Sequence, residues 1–191
     1  MKKSIISTIL IVLGILLIGF PTLENIYREK ELDLLEVKWE ESNNSTRKNT
    51  SGEAPQLSYK DRVVEGNLTI EKINLNMPIL KGATEENLKI SVASIYGENT
   101  IDGEGNYSIA GHRSRKYGKN FNRLNELSEG DIIKVTSQSK EYKYKVYNKL
   151  YVDPSNTEVL NTTKNKELTL ITCDPVINPY RRLIIKAKLL S

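Results

Sequence analysis

Short runs of alternating apolar and polar residues fill the chain from about residue 64 onward, and turn-forming residues separate the runs. Because successive side chains along a strand point to opposite faces, such alternation is typical of strands that bury one face. The pattern predicts strands at residues 67–73, 77–80, 106–111, 131–136, 141–152, 167–173 and 182–190, with helical turns at 85–92 and 121–127. The predicted fold class is all-β, as a barrel or a sandwich.

The N-terminus follows another pattern. Lys2 and Lys3 precede residues 4–20, which are uncharged and almost wholly apolar, so the run nearly reaches the roughly 20 residues that a membrane-spanning helix needs. A cleaved signal peptide begins in the same way, but no A-x-A-like cleavage site follows, which favours a retained N-terminal transmembrane helix. With both lysines in the cytoplasm, the rest of the chain lies outside the cell.

Two further segments precede the strands. Residues 23–41 are rich in helix formers, with Leu32, Leu35 and Trp39 at helical spacing. They predict an amphipathic helix that docks on the domain, lies on lipid or packs on a second copy. Residues 42–59 are rich in Ser, Asn, Thr and Gly and predict a flexible linker. The predicted organisation is an anchor (1–23), a juxtamembrane helix (24–41), this linker (42–59) and a β-rich domain (60–191).

Composition narrows the function. The chain has 191 residues and a net charge of +4, and its 28 Lys and Arg residues are scattered instead of forming a stripe with aromatic residues, which argues against a nucleic-acid partner. Its single cysteine, Cys173, has no partner in the chain for a disulfide. Cys173 is therefore either a reactive thiol or a small buried hydrophobic residue, and its position in a strand does not decide between the two.

The lone cysteine and the lone histidine each end a strand-like run, and a third run opens with arginine. YSIAGH ends at His112, LTLITC ends at Cys173, and RRLIIKAKLL begins at Arg181. A cysteine nucleophile, a histidine that carries protons and an arginine that stabilises an anion are the groups that thiol-based acyl transfer needs. Taken singly, none of the three is specific, because a lone histidine is more often a surface residue than a catalyst.

Strand alternation indicates which of these side chains share a face. His112 and Cys173 both lie opposite the apolar positions of their strands. In the last strand Arg181 has the parity of the apolar set that starts at Leu183, so Arg182 is the arginine that emerges on the outward face. If the three strands are neighbours, the three side chains meet over one groove, but parity does not give the strand order.

The strings NYSIAGHRS, FNRLNEL followed by GDIIKV, LTLITCDP and YRRLIIKAKL, in this order, resemble the sortases, the membrane-anchored cysteine transpeptidases of Gram-positive-type cell surfaces. The resemblance extends from about residue 67 to the C-terminus. It implies an eight-stranded β-barrel with short helices. It also implies that His112, Cys173 and Arg182 are catalytic, with Arg181 as the fallback for the arginine.

The same resemblance implies a reaction and its partners. Cys173 attacks the threonine carbonyl of an LPxTG-like sorting signal on a secreted protein, and the thioacyl-enzyme passes the protein to an amine of peptidoglycan, of its precursor or of a pilin lysine. The implied substrate-binding residues are Ser108, Ala110, Val159, Leu160 and Thr172. For Val159 and Leu160, packing beneath their loop is an equally supported alternative.

Other parts of the sequence bear on the sortase subclass and on a cofactor. The N-terminal anchor, the TCDP continuation and the compact barrel resemble class D most and class A second, and class D implies LPNTA-like signals. Some sortases bind calcium through loop acids, and this chain offers Glu98, Asp102 and Glu104 before the histidine strand. Because the calcium-binding pattern is mostly broken, we expect solvated acids and no cofactor.

Two other functions compete with this interpretation. An L,D-transpeptidase also uses cysteine and histidine on cell-wall peptides, but its motif has serine and glycine just before the thiol, where this chain has Ile171 and Thr172. A non-catalytic surface adhesin or receptor stalk would use the same anchor and would need no reactive thiol.

Overall fold

The computed structural model describes residues 2–48, 57–95, 100–101, 104–137 and 140–190. Within these residues, nine strands follow the N-terminal helix. They are β1 (Leu57–Tyr59), β2 (Arg62–Ile70), β3 (Leu75–Leu80), β4 (Val92–Ser94), β5 (Gly105–Ala110), β6 (Ile132–Ser137), β7 (Lys140–Val152), β8 (Lys166–Asp174) and β9 (Arg181–Leu189).

Eight of these strands form a closed barrel in the order β2-β3-β4-β5-β8-β9-β7-β6, because β6 pairs back onto β2. The short β1 pairs with the start of β2 outside this ring. Closure leaves the ring of eight strands without an open end, so neighbouring strands satisfy the backbone hydrogen bonds of the barrel. The predicted all-β class and the eight-stranded barrel are confirmed.

The barrel interior is filled by every second residue of its strands. Leu168 and Leu170 of β8 and Leu183 and Ile185 of β9 are fully buried in the same apolar cluster. Burying side chains of this size contributes about 1.5–3 kcal/mol each to folding, before the loss of conformational entropy. The other face of β5, β8 and β9 is left to form the site described below.

Several predicted strand ends differ from the observed ones. Residues 67–73 were predicted as one strand, but β2 ends at Ile70 and Glu71–Ile73 is a 3-10 turn, which Asn74 ends with a left-handed φ of 50°. The predicted helical turn at 85–92 is the helix α2 (Glu85–Ile90), after which β4 begins at Val92. Strands of three residues such as β1 and β4 are too short for alternation to predict them.

The N-terminal helix α1 runs without interruption over Lys2–Lys48. By length and composition it is able to cross a membrane, since an 18-residue window within Leu10–Asn44 has a mean hydropathy of 1.8 and is not covered by the barrel. The predicted linker at residues 42–59 differs from the structure at both ends, because α1 continues to Lys48 and β1 begins at Leu57. Once a helix is held by packing, each added residue extends it at little cost.

The middle of α1 docks on the barrel. Leu35 is fully buried in a second apolar cluster, against which Trp39 packs, and Leu32 contacts the main core. Glu31 accepts a hydrogen bond from Arg62 at 2.6 Å and lies 3.6 Å from Lys60. Of the three alternatives for the amphipathic stripe, the structure shows docking on the domain.

Candidate active site

Cys173 and Arg182 lie directly opposite each other on the antiparallel strands β8 and β9. Directly opposed residues of such a pair have Cβ atoms roughly 4.5–5.5 Å apart and point to the same face. Both side chains are half-buried, so solvent and a ligand reach them. The thiol of Cys173 is free. The prediction that Arg182 shares the face of Cys173 agrees with this register.

Arg181 is engaged elsewhere. It lies opposite Asp174, one residue beyond Cys173, and its Nε donates to Asp174 Oδ2 at 2.6 Å. Its guanidinium also lies 4.1 Å from the centre of the Tyr151 ring. The structure therefore favours Arg182 over the fallback Arg181 as the arginine beside the thiol.

His112 reaches the other side of Cys173 through the parallel pair of β5 and β8. Ala110 pairs with Ile171, and the Gly111 amide donates to the Ile171 carbonyl at 3.1 Å, so continuing this register puts His112 level with Cys173. His112 is exposed, and its carbonyl accepts from the Phe121 amide at 3.1 Å. Arg182 of β9, Cys173 of β8 and His112, two residues past the end of β5, thus form one row, here called the reactive row.

The glycine before His112 has a steric cause. A Cβ on Gly111 would lie 2.6 Å from the Phe121 ring, which is fully buried below it. Any side chain at this position would displace Phe121 or the turn that carries His112. The AGH string is therefore explained in part by the packing of the 3-10 turn Phe121–Glu126 against the end of β5.

Next to the reactive row lies a second row made of Ala110, Ile171 and Ile184, which are cross-strand neighbours and are here called the groove floor. A third row, Ser108, Thr169 and Lys186, continues in the same direction. Ser108 and Ala110, predicted to bind substrate, therefore lie on the face of the reactive row, although Ser108 is buried.

A short loop turn covers the far end of this face. The carbonyl of Val159, in the 3-10 turn Glu158–Leu160, accepts from Lys186 Nζ at 2.6 Å and from Asn106 Nδ2 at 2.9 Å. Burial lowers the pKa of Lys186 from its usual range, and the Glu167 carboxylate partly opposes this. Val159 and Leu160 are half-buried, so the turn forms a wall that is fixed to the sheet.

Thr172 is the predicted substrate-binding residue that the structure places elsewhere. It is 2% exposed, lies opposite the core residue Leu183, and donates from its hydroxyl to the Gly111 carbonyl at 2.8 Å. Because neighbouring residues of a strand face opposite ways, Thr172 cannot share the face of Cys173. It joins β8 to the end of β5 and does not line the groove, which corrects the prediction.

A cleft of about 680 Å³, separate from the groove, is lined in part by His112. One wall is α1, through Arg28, Glu29 and Leu32, and the opposite wall includes Lys116 and Lys119 from the loop after His112. Glu29 accepts from Lys116 Nζ at 3.3 Å and also pairs with Lys119. Sequence patterns did not predict this cleft, because the amphipathic stripe of α1 does not indicate where the helix docks.

The loop acids that were compared with the calcium-binding pattern, and expected to be solvated, fall mostly beyond the described residues. Glu98 and Asp102 lie outside them, and Glu104 is exposed. Among residues 2–48, 57–95, 100–101, 104–137 and 140–190, no group of three His, Cys, Asp or Glu side chains is placed to hold a metal ion.

Comparison with known proteins identifies the family. The sortase domain family matches residues 68–190. The chain belongs to the sortases. Sortase A from Bacillus anthracis is 31% identical over 199 residues, which cover 98% of this chain and 94% of that protein. Sortase D from Bacillus subtilis is 28% identical over 97% of this chain and 98% of that protein.

Solved sortase structures have the same fold as this chain. A Clostridium perfringens Sortase D5 transpeptidase superimposes with a TM-score of 0.66 and 28% identity, over 86% of this sortase and 98% of that chain. Sortases are cysteine transpeptidases, so this protein is an enzyme of that type. Because the relatives include both class A and class D proteins, class D remains a prediction.

Proposed function

We propose that this sortase cleaves an LPxTG-like signal after its threonine, with an LPNTA-like signal as the alternative that class D implies, and transfers the acyl part to an amine of peptidoglycan or its precursor. The single observation that carries the proposal is the reactive row: Arg182 lies opposite Cys173 on β9, and His112 lies two residues past the end of β5, the strand that pairs with β8 on the other side. A thiol between an imidazole and a guanidinium has the groups needed for nucleophilic attack, proton transfer and stabilisation of an oxyanion.

In the first half-reaction the Cys173 thiolate forms a bond to the threonine carbonyl carbon. Arg182 donates hydrogen bonds to the carbonyl oxygen as it becomes negative. His112, in its protonated form, gives a proton to the leaving amine when the C–N bond breaks. The product is a thioester between Cys173 and the threonine, together with the released C-terminal segment.

In the second half-reaction His112 changes from acid to base, while Arg182 keeps its role. An incoming amine attacks the thioester carbon, Arg182 again stabilises the oxygen, and His112 removes a proton from the attacking nitrogen. The thiolate of Cys173 then leaves, which restores the enzyme and joins the protein to the acceptor. The acceptor approaches through the cleft beside His112, since this cleft is open and the groove is filled by the signal.

The groove supports the apolar part of the signal. Ala110 and Ile171 are half-buried and provide the accessible part of the apolar floor next to Cys173, while Ile184 is fully buried beside them, and the wall with Val159 and Leu160 bounds the floor. The leucine and proline of the signal contact this floor and wall, while threonine lies over the reactive row. Burial of these apolar side chains contributes to binding roughly in proportion to the buried area.

We also propose a membrane location for the enzyme and a reaction without a metal ion. The apolar half of α1 anchors the enzyme in the cell membrane with the barrel outside the cell, at a Gram-positive-type surface. The reaction uses no metal, so activity should survive dialysis against EDTA. Restoration of a lost activity by added calcium would contradict this part alone.

The decisive experiment uses the full chain in detergent micelles with LPxTG and LPNTA pentapeptides and an amine acceptor. Cys173→Ala should abolish peptide transfer while circular dichroism and thermal unfolding stay unchanged. A Cys173→Ala variant that still joins the peptide to the amine would exclude the mechanism. A library of pentapeptides in the same assay would separate LPxTG from LPNTA preference.

A further inference from the structure

A buried carboxylate lies directly behind the reactive row. Asp174 follows Cys173 in β8, and its side chain is only 7% exposed. Its Oδ2 accepts from Arg181 Nε at 2.6 Å, and its Oδ1 forms an ion pair with Arg113 Nη1. Arg113, itself 9% exposed in its side chain, follows His112, and Arg181 precedes Arg182. One carboxylate therefore joins the immediate chain neighbours of all three members of the reactive row.

We propose that Asp174 is a positioning residue that sets the mutual placement of His112, Cys173 and Arg182 during acyl transfer. This proposal rests on the proposed function, because it assigns Asp174 a role in that same reaction. The contacts of Asp174 with Arg113 and Arg181 are called the Asp174 bridge below.

The bridge does not touch the substrate. Asp174 and Arg181 are directly opposed in β8 and β9, one position beyond the opposed pair Cys173 and Arg182. Alternation along both strands therefore directs the bridge to the face opposite the groove. Asp174 acts on the reaction only through the backbone positions of its partners.

The need for such a bridge is greatest at His112. Strand β5 ends at Ala110, so His112 lies beyond the regular strand pairing. The Gly111 contacts with Ile171 and Thr172 precede it, and the Arg113 side chain is fixed to Asp174 immediately after it. Displacing a catalytic group by about 1 Å can lower a rate by roughly 100-fold, so a second restraint at this point has a functional consequence.

Stability alone is a weak explanation of the bridge. Taking several charges out of water costs much of what their attraction returns, so buried ion pairs often add little to stability. Removing one member is nevertheless destabilising, because the remaining charge is left unpaired. A test must therefore separate a loss of folded protein from a loss of rate per folded molecule.

The test compares wild type with Asp174→Asn, Arg113→Gln and the double variant, as full chains in detergent micelles. Since Cys173 is the single cysteine, alkylation by iodoacetamide counts the accessible sites, and kcat is expressed per titrated thiol. We expect Asp174→Asn to lower kcat at least tenfold at an unchanged KM for the pentapeptide. The pH profile of alkylation should also shift, because the distances from the thiolate to both cationic groups change.

The double variant keeps the test valid if a single variant fails to fold. It removes the two buried charges of Asp174 and Arg113 together, and the charge that remains, on Arg181, is 39% exposed to water, so the double variant should fold even if a single variant does not. If Arg113 and Asp174 act together, the double variant should lose no more activity than the worse single variant. Additive losses of Arg113→Gln and Asp174→Asn would overturn the bridge as a unit.

Glu31→Gln is the matched control. Glu31 is a buried carboxylate with two basic partners, Arg62 and Lys60, but it joins α1 to the barrel. We expect its kcat per thiol to stay within twofold of wild type. A wild-type kcat and alkylation profile in Asp174→Asn, or an equal loss in Glu31→Gln, would overturn the proposal. Failure of the proposed function looks different, since wild type would then transfer no more peptide than Cys173→Ala.

Discussion

The two sides of Cys173 are built in different ways. Arg182 is fixed by the paired strands β8 and β9, whose register runs without a break from Glu167 to Asp174. His112 stands past the end of β5, held by the Phe121 turn and bordered by the cleft against α1. The arginine side therefore depends on sheet pairing, whereas the histidine side depends on contacts between separate elements.

The two sides should therefore differ in how easily a mutation disturbs the reaction. Strand register persists as long as the barrel is folded, so the Arg182 position is as stable as the whole domain. Loops and docked helices open with less free energy than core strands do. We therefore expect the acceptor step, which uses the His112 side, to respond to changes in the α1 residues that line the cleft, such as Glu29, and the signal-binding step to stay unaffected.

The largest effect should come from His112→Gln. Glutamine keeps a hydrogen-bonding side chain but cannot exchange a proton near neutral pH, so both half-reactions lose their acid and base. We expect kcat to fall by about 10²–10⁴-fold, measured with the LPNTA pentapeptide and an amine. Arg115→Gln, exposed in the same loop, is the control. Equal activity of the two variants would remove His112 from the mechanism.

A comparison of adjacent arginines tests the other side. Arg182→Gln should lower kcat by about 10²–10³-fold, because it removes the charged donor to the developing oxyanion. Arg181→Gln should lose less, since Arg181 contacts Asp174 and Tyr151 and not the thiol face. Steady-state kinetics of both variants measure this order. The reverse order would show that Arg181 is the catalytic arginine.

A smaller effect should follow from Lys186→Met at the far end of the groove. The change removes the hydrogen bond to the Val159 carbonyl but keeps most of the side-chain volume. We expect KM for the pentapeptide to rise about fivefold with kcat nearly unchanged, as for the loss of one hydrogen bond of about 1 kcal/mol. A fall in kcat at constant KM would contradict the role of the wall in binding.

The same variant has a pH signature. Because burial lowers the pKa of Lys186, the unfolded chain binds more protons between that folded-state pKa and 10.5. The contribution of Lys186 to the unfolding free energy must therefore rise with pH in this window. The stability of wild type minus that of Lys186→Met, measured by urea unfolding, should be larger at pH 10 than at pH 7.5. A difference that falls with pH would contradict the burial of this amine.

The smallest effect is expected for Glu29→Gln in α1. This change frees Lys116 and Lys119 in the cleft, and surface pairs of this kind are weak and screened by salt. We expect about a twofold lower KM for an acceptor amine that carries a carboxylate, and no change for its amide or for the pentapeptide. An equal shift for the carboxylate and the amide would show that the cleft charge does not act on the acceptor.

Much of the site followed from local patterns. Alternation put Cys173 and Arg182 on the face opposite the apolar set, and the β8–β9 register agrees with this. The LTLITC motif predicted the role of Thr172 less well, because a sequence motif does not show which of its residues face the ligand. Its hydroxyl contacts the Gly111 carbonyl, which is a long-range contact that neither parity nor composition encodes.

The order of residues along the chain was enough to predict the apolar N-terminal run, the two-residue periodicity of the barrel strands, and the identities of the thiol, the imidazole and the guanidinium. These are properties of neighbouring residues, and backbone geometry converts them directly into faces. The folded structure was needed to show that β5 and β9 both border β8, that α1 continues to Lys48 and forms one wall of the cleft, and that Asp174 joins Arg113 to Arg181. Those arrangements depend on how segments far apart in the chain share one closed sheet, and local patterns carry no information about that pairing.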